Sequence, residues 1–307
     1  MTIDSRQVWL ETRRRLEERL ARDLLRTTPD GLRPLPLLHG HEGKVKWGID
    51  LAQLGRAGRR NAGSPHVHRI SLSPAGLPVG FDGFTILFIS DLHLDLPTGA
   101  LEQAIRLLAE VECDIAVFGG DYQSYGTPPA KDTAAAMAPL VGAIHAKSGV
   151  FAILGNHDRH DLVAPLEALG LTLLINESAA LARDGETITL IGCDDINVFH
   201  DHAAEQALHR GDGFRIALIH SPDFARQAEA AGCAVYLAGH THGGQICLPG
   251  GKPIMTALDH ERGLARGVWH KGRMVGYTST GLGCGGVAAR FNCPPEVALI
   301  TLTRPAP

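Results

Sequence analysis

Two closely spaced histidines give the clearest chemical signal in the sequence. His240 and His242 lie in the glycine-rich stretch 239–245, directly after the apolar run 234–238, which is typical of a short buried strand. Neutral imidazole is the commonest metal ligand among protein side chains. The glycines of the stretch allow the backbone to turn sharply, so that both rings can face one site. The stretch therefore indicates a metal site at the end of a strand.

Four further apolar runs also end in residues that can bind a metal. Any one of these residues, taken alone, is explained as a turn former or as a buried structural histidine. Ligands of open α/β sheets bind beyond the carboxyl ends of the strands, so the whole set favours a shared metal site. The residues are Asp91 and His93 after 85–90, Asp121 after 114–118, Asn156, His157 and Asp158 after 150–154, and His220 after 215–219.

The elements that must position these residues alternate between strands and helices. Helical patterns at 101–111 and 133–147 separate the first three strands, and a shorter one follows at 162–169. Alternation of this kind predicts an α/β domain with a mixed central sheet. We predict further strands at 67–72, 171–175, 180–183, 187–192, 274–279 and 297–303, the first of them at a sheet edge.

An extension precedes this domain. Residues 7–26 have the apolar spacing of a helix, with arginine and glutamate interleaved. Such a helix suits a membrane surface, a partner, or the body of the protein, and the near balance of acids and arginines favours docking on the protein or a second copy. Residues 27–64 are rich in Gly, Pro and Arg and look irregular. We therefore predict an extension at 1–66 and one compact domain at 67–307.

The composition narrows the class of protein. Among the 307 residues, 44% are hydrophobic and the formal net charge is −4, which allows a large core and gives no bulk attraction for nucleic acid or anionic lipid. Six scattered cysteines without a CxxC pair indicate reduced, mostly buried thiols. No apolar run has transmembrane length, and no signal-peptide core begins the chain. We expect a cytoplasmic protein without a specific nucleic-acid partner, with peripheral membrane contact through residues 7–26 as the alternative.

The candidate ligands fall into short sequence blocks. The blocks are Asp91-x-His93, Gly120-Asp121, Gly155-Asn156-His157-Asp158, His220 and Gly239-His240-x-His242. All are intact and stand in the order of the five signature blocks of the calcineurin-like metallophosphoesterases, which the chain resembles over roughly residues 67–303. The features at 243–245, 281–283 and 294–297 resemble the YaeI/YkuE-like phosphodiesterase branch. The resemblance implies a two-sheet β sandwich flanked by helices.

The resemblance also implies a role for each residue. Two divalent cations would share the Asp121 carboxylate and hold a bridging hydroxide that attacks phosphorus. Manganese is favoured, with Fe, Zn, Ni, Co or Mg as alternatives, because the ligands mix carboxylate, amide and imidazole. His157 would stabilise the transition state or act as the general acid, with Asp158 orienting its ring, and Arg290 would either grip the phosphate or be structural. One cation would take Asp91, His93 and His242, and the other Asn156, His220 and His240.

The implied activity is hydrolysis of a phosphodiester or a pyrophosphate. Possible substrates are a UDP-2,3-diacylglucosamine-type lipid precursor and a cyclic or linear nucleotide diester, and a metal-stabilised scaffold without turnover is the alternative from another class. The sequence at 120–126 lacks the Gly-Asp-x-x-Asp-Arg-Gly pattern of Ser/Thr protein phosphatases. Because every ligand lies beyond residue 90, we expect catalysis not to need residues 1–60. His160 is a further candidate for the site. The polar cluster Asp194, Asp195, His200 and His202 is predicted to be a solvated loop, with a place at the rim of the substrate site as the alternative.

Overall fold

Two six-stranded sheets form the centre of the protein. The computed structural model describes residues 3–26, 54–124, 128–199, 202–258 and 260–305. The two sheets pack face to face, and helices cover their outer faces. The arrangement confirms the α/β two-sheet sandwich that the resemblance implied, whereas the alternation of elements had suggested a single mixed sheet.

The first sheet contains β1 (His66–Leu72), β2 (Thr85–Ile89), β4 (Ile115–Phe118), β6 (Val150–Ala152), β7 (Thr172–Leu173) and β14 (Glu296–Leu302). Its strand order is β1-β14-β2-β4-β6-β7, so β1 is an edge strand, as the sequence predicted. Strands β2, β4, β6 and β7 are parallel, which brings their carboxyl ends to one edge of the sheet. A separate small sheet pairs β3 (Glu112–Cys113) with β5 (His145–Ala146).

The second sheet contains β8 (Glu177–Arg183), β9 (Glu186–Gly192), β10 (Phe214–Leu218), β11 (Val235–Ala238), β12 (Gly267–Lys271) and β13 (Met274–Thr278). Its strand order is β12-β13-β11-β10-β9-β8. The four inner strands β9, β10, β11 and β13 are parallel, and β8 and β12 close the two edges in antiparallel pairs. The carboxyl ends of β10 and β11 therefore also meet at one edge.

The hydrophobic core lies between the sheets. Ile86 and Phe88 of the first sheet belong to the same buried cluster as Leu190, Leu218 and Leu237 of the second. Strands buried on both faces are continuous apolar runs, which is why the sequence located them well. The helices α3 (Ala100–Leu108), α4 (Ala130–Gly142) and α5 (Val163–Glu167) cover the outer face of the first sheet, and α6 (His202–Ala207) and α7 (Ala225–Ala230) cover that of the second.

Two helices precede the sandwich, α1 (Ile3–Arg26) and α2 (Gly55–Ala62). Helix α1 is docked on the body of the protein, the alternative that the charge balance favoured, because Trp9 and Arg13 are buried against Asp194. Asp194 and Asp195 are themselves buried, so the prediction of a solvated loop is wrong for both, while His200 lies outside the described residues. Helix α2 occupies part of the segment predicted to be irregular.

All six cysteines are free thiols and all are buried, which agrees with the prediction of reduced, inward-facing side chains. In the described part of the chain, no helix combines the length and the apolar character that a membrane span requires.

Candidate metal centre

Seven potential ligands from both sheets meet where the strands end. Each lies two to four residues after the end of an inner strand. Asp91 and His93 follow β2, Asp121 follows β4, Asn156 follows β6, His220 follows β10, and His240 and His242 follow β11. The structure thus brings together every ligand that the sequence predicted.

Asp91, His93 and His242 form the first group, and their ligand atoms lie within 4.8 Å of one another. The Nε2 atoms of His93 and His242 are 3.1 Å apart, and His242 Nε2 is 3.5 Å from Asp91 Oδ1. All three residues are buried. Two imidazole nitrogens and a carboxylate oxygen converging in this way can hold one divalent metal ion.

Asp121, His220 and His240 form the second group, again within 4.8 Å. His220 Nε2 is 3.1 Å from Asp121 Oδ2, and the Oδ1 of Asn156 lies 2.8 Å from His240 Nδ1. The same Asp121 Oδ2 is 3.7 Å from His93 Nε2 in the first group. The Asp121 carboxylate therefore stands between the two groups.

Hydrogen bonds at the outer ring nitrogens select the atoms that face the centre. His220 Nδ1 lies 2.7 Å from the carbonyl of Gly119, and His240 Nε2 lies 3.1 Å from that of Ala257. A carbonyl can only accept, so these nitrogens carry the protons and the inner ones present lone pairs. His220 Nε2 is buried and lies 3.1 Å from Asp121 Oδ2. In the neutral ring this nitrogen presents a lone pair to the carboxylate oxygen, an arrangement that a bound cation would stabilise.

The electrostatics of the two groups also suit a cation. Burial lowers the pKa of His93 to about 3 and that of His240 to about 4, so both are neutral ligands at neutral pH. Burial works against ionisation of Asp121, yet His220 and His157 hold its pKa well below the usual range. Conversely, the carboxylates overcome burial and raise the pKa of His220 to about 10. A divalent ion would replace that proton, because metal ligands bind in their deprotonated forms.

The backbone at the ligands is unusual. Asp91, His93, Asp121, His240 and His242 have φ angles of 56°, 41°, 58°, 71° and 50°. Non-glycine residues in this left-handed region cost about 1–3 kcal/mol each and cluster at functional sites. Close backbone approach accompanies the strain, since a Cβ on Gly155 would lie 2.1 Å from Asp121 Oδ1. The glycines of the sequence blocks therefore make room for ligands.

The side chain of His157 faces the cavity, whereas the Asp158 carboxylate bonds to backbone groups of the neighbouring loops. The His157 backbone N–H donates to Asp121 Oδ1, and its Nε2 lies 4.0 Å from Asp121 Oδ2, facing the cavity described below. The Asp158 carboxylate accepts hydrogen bonds from the backbone N–H groups of Gly155, Asp121 and Tyr122. Burial and the Asp121 charge raise the pKa of Asp158 to about 7. These bonds favour a role for Asp158 in holding two ligand loops together.

Arg290 is fully buried rather than open to a substrate. Its guanidinium donates to the carbonyls of Gly283 and Thr280 at 2.6 and 2.7 Å, and to that of Cys293. These contacts favour the structural alternative for Arg290 over the phosphate contact. The arginine ties the glycine-rich loop 281–286 to the loop that carries His242.

Helix α1 contributes contacts that sequence reasoning missed. The Arg13 guanidinium donates to Asp194 at 2.6 Å and to the carbonyl of Asp158 at 2.7 Å. Glu17 accepts from the backbone of His160 and pairs with its ring, so His160 faces the helix instead of the ligands. No short motif marks such long-range partners. An arginine among apolar positions of the helix was the one available signal.

A cavity of about 610 Å³ opens beside the ligands. His93, Asp121, Asn156, His240 and His242 line one part of it. A small molecule can therefore approach both ligand groups from this side.

The comparisons with known proteins show the family to which the chain belongs. The family model described as calcineurin-like phosphoesterase matches residues 84–244. The metallophosphoesterase YkuE of Bacillus subtilis is 32% identical over 235 residues, which cover 74% of this chain and 81% of that protein. Phosphodiesterase YaeI of Escherichia coli is 28% identical, covering 71% of this chain and 82% of that protein. UDP-2,3-diacylglucosamine pyrophosphatase LpxG of Chlamydia trachomatis is 26% identical, covering 77% and 89%.

A β sandwich with paired metal-ligand groups at its edge is the arrangement expected of a metallophosphoesterase. The chain belongs to the calcineurin-like phosphoesterases and resembles the YaeI/YkuE-like branch, and its activity is that of a metal-dependent phosphoric ester hydrolase.

Proposed function

We propose that this chain hydrolyses phosphodiesters or pyrophosphates with two divalent metal ions. The observation that supports this most directly is the pair of ligand groups on either side of Asp121. A shared carboxylate allows two cations to lie close together, as two-metal hydrolases require. Asp91, His93 and His242 would hold one ion, and Asn156, His220 and His240 the other, with Asp121 common to both.

When bound, the ions supply Lewis acidity that activates water and neutralises charge on the phosphoryl oxygens. The ligand atoms are carboxylate, amide oxygen and imidazole, without thiolate, which suits manganese, iron, zinc, nickel or cobalt. Manganese is our proposed native ion.

His157 is placed to act on the substrate. Its ring is 16% exposed and lines the cavity, while its backbone N–H is fixed by Asp121. A protonated imidazole here can donate to a phosphoryl oxygen or to the departing alkoxide. The bonds of Asp158 to three backbone N–H groups hold the loop from which His157 projects.

The test of the proposal combines metal analysis with hydrolysis. Protein saturated with Mn²⁺ should bind two ions per chain and hydrolyse bis-p-nitrophenyl phosphate. A folded protein that binds no more than one ion under saturating Mn²⁺ contradicts the dinuclear site. Two bound ions without turnover on any mono-, diester or pyrophosphate would favour the metal-stabilised scaffold.

A nucleotide-linked lipid such as UDP-2,3-diacylglucosamine is a second candidate substrate. The similarity to LpxG, whose name gives that substrate, supports including it in the screen.

A further inference from the structure

The cavity beside the ligands is lined by two chemically different sets of side chains, with polar residues also present. One set is the metal-ligand residues with His157, and the other is a set of apolar side chains that we call the apolar wall. The polar lining residues are Ser124, Thr241, Gln245, Thr256 and Asn292. The apolar wall is formed by Leu54, Ile246, Cys247, Ile254, Met255, Val287 and Phe291. A phosphate at the ligands would therefore have a hydrocarbon-like surface next to it.

Part of this apolar wall is open to solvent. Ile254 is 59% exposed, Met255 47% and Leu54 45%, which places them among the most exposed large apolar residues described. Single exposed apolar residues are ordinary, but a group that lines one functional cavity marks a binding surface. These side chains can bind an apolar group by burying its surface, but they offer no hydrogen bond that would recognise a polar group.

The charged residues of the cavity lining also favour an apolar ligand group. Among the described residues that line it, Asp121 is the one carboxylate and neither lysine nor arginine occurs. A second phosphate or a charged headgroup is usually gripped by arginine or lysine. Away from the metal ligands, the described lining thus lacks the cations that a polyanionic arm would need.

We propose that one ester arm of the substrate is a hydrocarbon chain that lies along this apolar wall while the phosphate lies at the metal ligands. The inference rests on the proposed hydrolysis and adds the class of substrate, a phosphodiester with an alkyl or acyl-bearing arm. Moving the hydrocarbon chain out of water onto this wall lowers the free energy of binding, by an amount that grows with each buried methylene.

The experiment uses p-nitrophenyl alkyl phosphates that differ only in the alkyl arm. In each, water adds across the P–O bond to the nitrophenyl group, p-nitrophenolate leaves, and an alkyl phosphate remains. With the Mn²⁺-loaded full chain, kcat/KM should be at least about tenfold higher for the hexyl than for the methyl ester, since each buried methylene is worth roughly two- to fourfold. Substrates are kept below their micelle concentration. The thymidine ester, with a polar arm of similar length, should resemble the methyl ester.

Two variants locate the effect. Ile254→Asp places a charge on the apolar wall and should reduce the hexyl-to-methyl ratio of kcat/KM by at least about fivefold, with two metal ions still bound. Val268→Asp is the matched control, because Val268 is similarly exposed at 47% but lies outside the cavity lining. It should keep the wild-type ratio.

The outcomes separate the two proposals. Absence of turnover on every ester would contradict the proposed function itself. Turnover with equal kcat/KM for methyl and hexyl esters, or a preference for the thymidine ester, would overturn the hydrocarbon arm alone. An equal loss of the ratio in the Ile254 and Val268 variants would also overturn it, because the chain effect would then not arise at this wall.

Discussion

Asp121 is the residue on which the two ligand groups depend. Its Oδ2 lies 3.1 Å from His220 Nε2 and 3.7 Å from His93 Nε2, and its Oδ1 accepts the His157 backbone N–H. One carboxylate therefore touches both groups and also the loop of the proposed acid. Removing its charge affects all three at once.

We expect Asp121→Asn to bind both metal ions weakly and to lose at least about a hundredfold in activity, because an amide cannot neutralise two cations. Metal analysis and bis-p-nitrophenyl phosphate hydrolysis measure this. Asp184→Asn is the control, since its side chain is 75% exposed and far from the ligands in sequence and sheet position. Near-wild-type activity in the Asp121 variant would refute the bridging role.

His157→Ala separates an acid from a ligand. We expect the variant to keep both ions and to lose about 10²–10⁴ in rate on alkyl diesters. The loss should be much smaller with p-nitrophenyl leaving groups, which need no proton. Loss of a metal ion would make His157 a ligand, and equal losses on both substrates would make it an electrostatic stabiliser.

Residue types were predictable, but the partners of buried side chains were not. The ligands follow apolar runs, and that placement can be read along the chain. The resemblance left Arg290 open between a phosphate contact and a structural role and implied that Asp158 orients the His157 ring, and both side chains bond to backbone groups. Those contacts depend on which loops pack together, and local spacing carries no information about that packing.

At the scale of elements, helix α1 contacts the loop that carries His157. Arg13 is 1% exposed and joins the carboxylate of Asp194 to the carbonyl of Asp158, while its guanidinium stacks 3.4 Å from the centre of the Phe199 ring. The positions of the ligands beyond residue 90 predict catalysis that does not need residues 1–60, whereas these contacts predict that it does need α1.

Arg13→Gln should lower the free energy of unfolding by about 3–5 kcal/mol, the usual effect of leaving a buried partner uncompensated. It should also lower kcat, because the Asp158 carbonyl loses its donor. Arg14→Gln is the matched control on the same helix, since Arg14 is 68% exposed. Urea titration and steady-state kinetics measure both effects. Identical behaviour of the two variants would show that α1 is not coupled to the site.

Glu296, at the start of β14, is a second buried charge whose contribution to stability can be tested, in this case through the pH dependence of the free energy of unfolding. It is buried, which opposes its ionisation, but His68, Tyr277 and the Thr280 backbone lower its pKa from 4.5 to about 2. Its folded pKa is depressed, so its contribution is complete above about pH 4.5 and is lost as the pH falls towards 2. The contribution is on the order of 3 kcal/mol.

Glu296→Gln should therefore flatten the acid side of a plot of unfolding free energy against pH, between about 4.5 and 2. Glu110→Gln, at an exposed position, should leave that slope unchanged. The same slope in the wild type and the Glu296 variant would show that the carboxylate is not stabilised by folding.

The inner strands were found from sequence almost to the residue, because their apolar runs are short and bounded by glycine and polar ligands. The division of the strands between two sheets was harder to predict from the sequence. The sequence of the strand Val235–Ala238 does not indicate that it pairs with β10 and β13 rather than with β2. The sheet to which a strand belongs depends on how the strand packs between the two sheets. That packing is a property of the folded protein and cannot be read from one apolar run.

For the molecule as a whole, each ligand group draws residues from both sheets. Asp91 and His93 of the first sheet meet His242 of the second, and Asp121 and Asn156 meet His220 and His240. Metal binding should therefore stabilise the contact between sheets as well as the site.

We expect chelation to lower the midpoint of thermal unfolding, and Mn²⁺ at a hundred times its dissociation constant to raise the free energy of unfolding by roughly 3 kcal/mol for each bound ion. Calorimetry with EDTA and with added Mn²⁺ measures the difference, and the Asp121→Asn variant should show a smaller one. Equal midpoints with and without metal would contradict a site shared between sheets.

The left-handed backbone at five ligands means that two separate requirements restrict these positions. Apart from glycine, aspartate, asparagine and histidine are the residues that tolerate positive φ best, and they are also suitable ligands for these metals. An alanine scan would therefore mix loss of a ligand with a worse fit to the backbone. Asparagine is the neutral reference for Asp91 and Asp121, and a laboratory library restricted to Asp, Asn, His and Gly at these positions would vary the metal chemistry while the chain keeps its path.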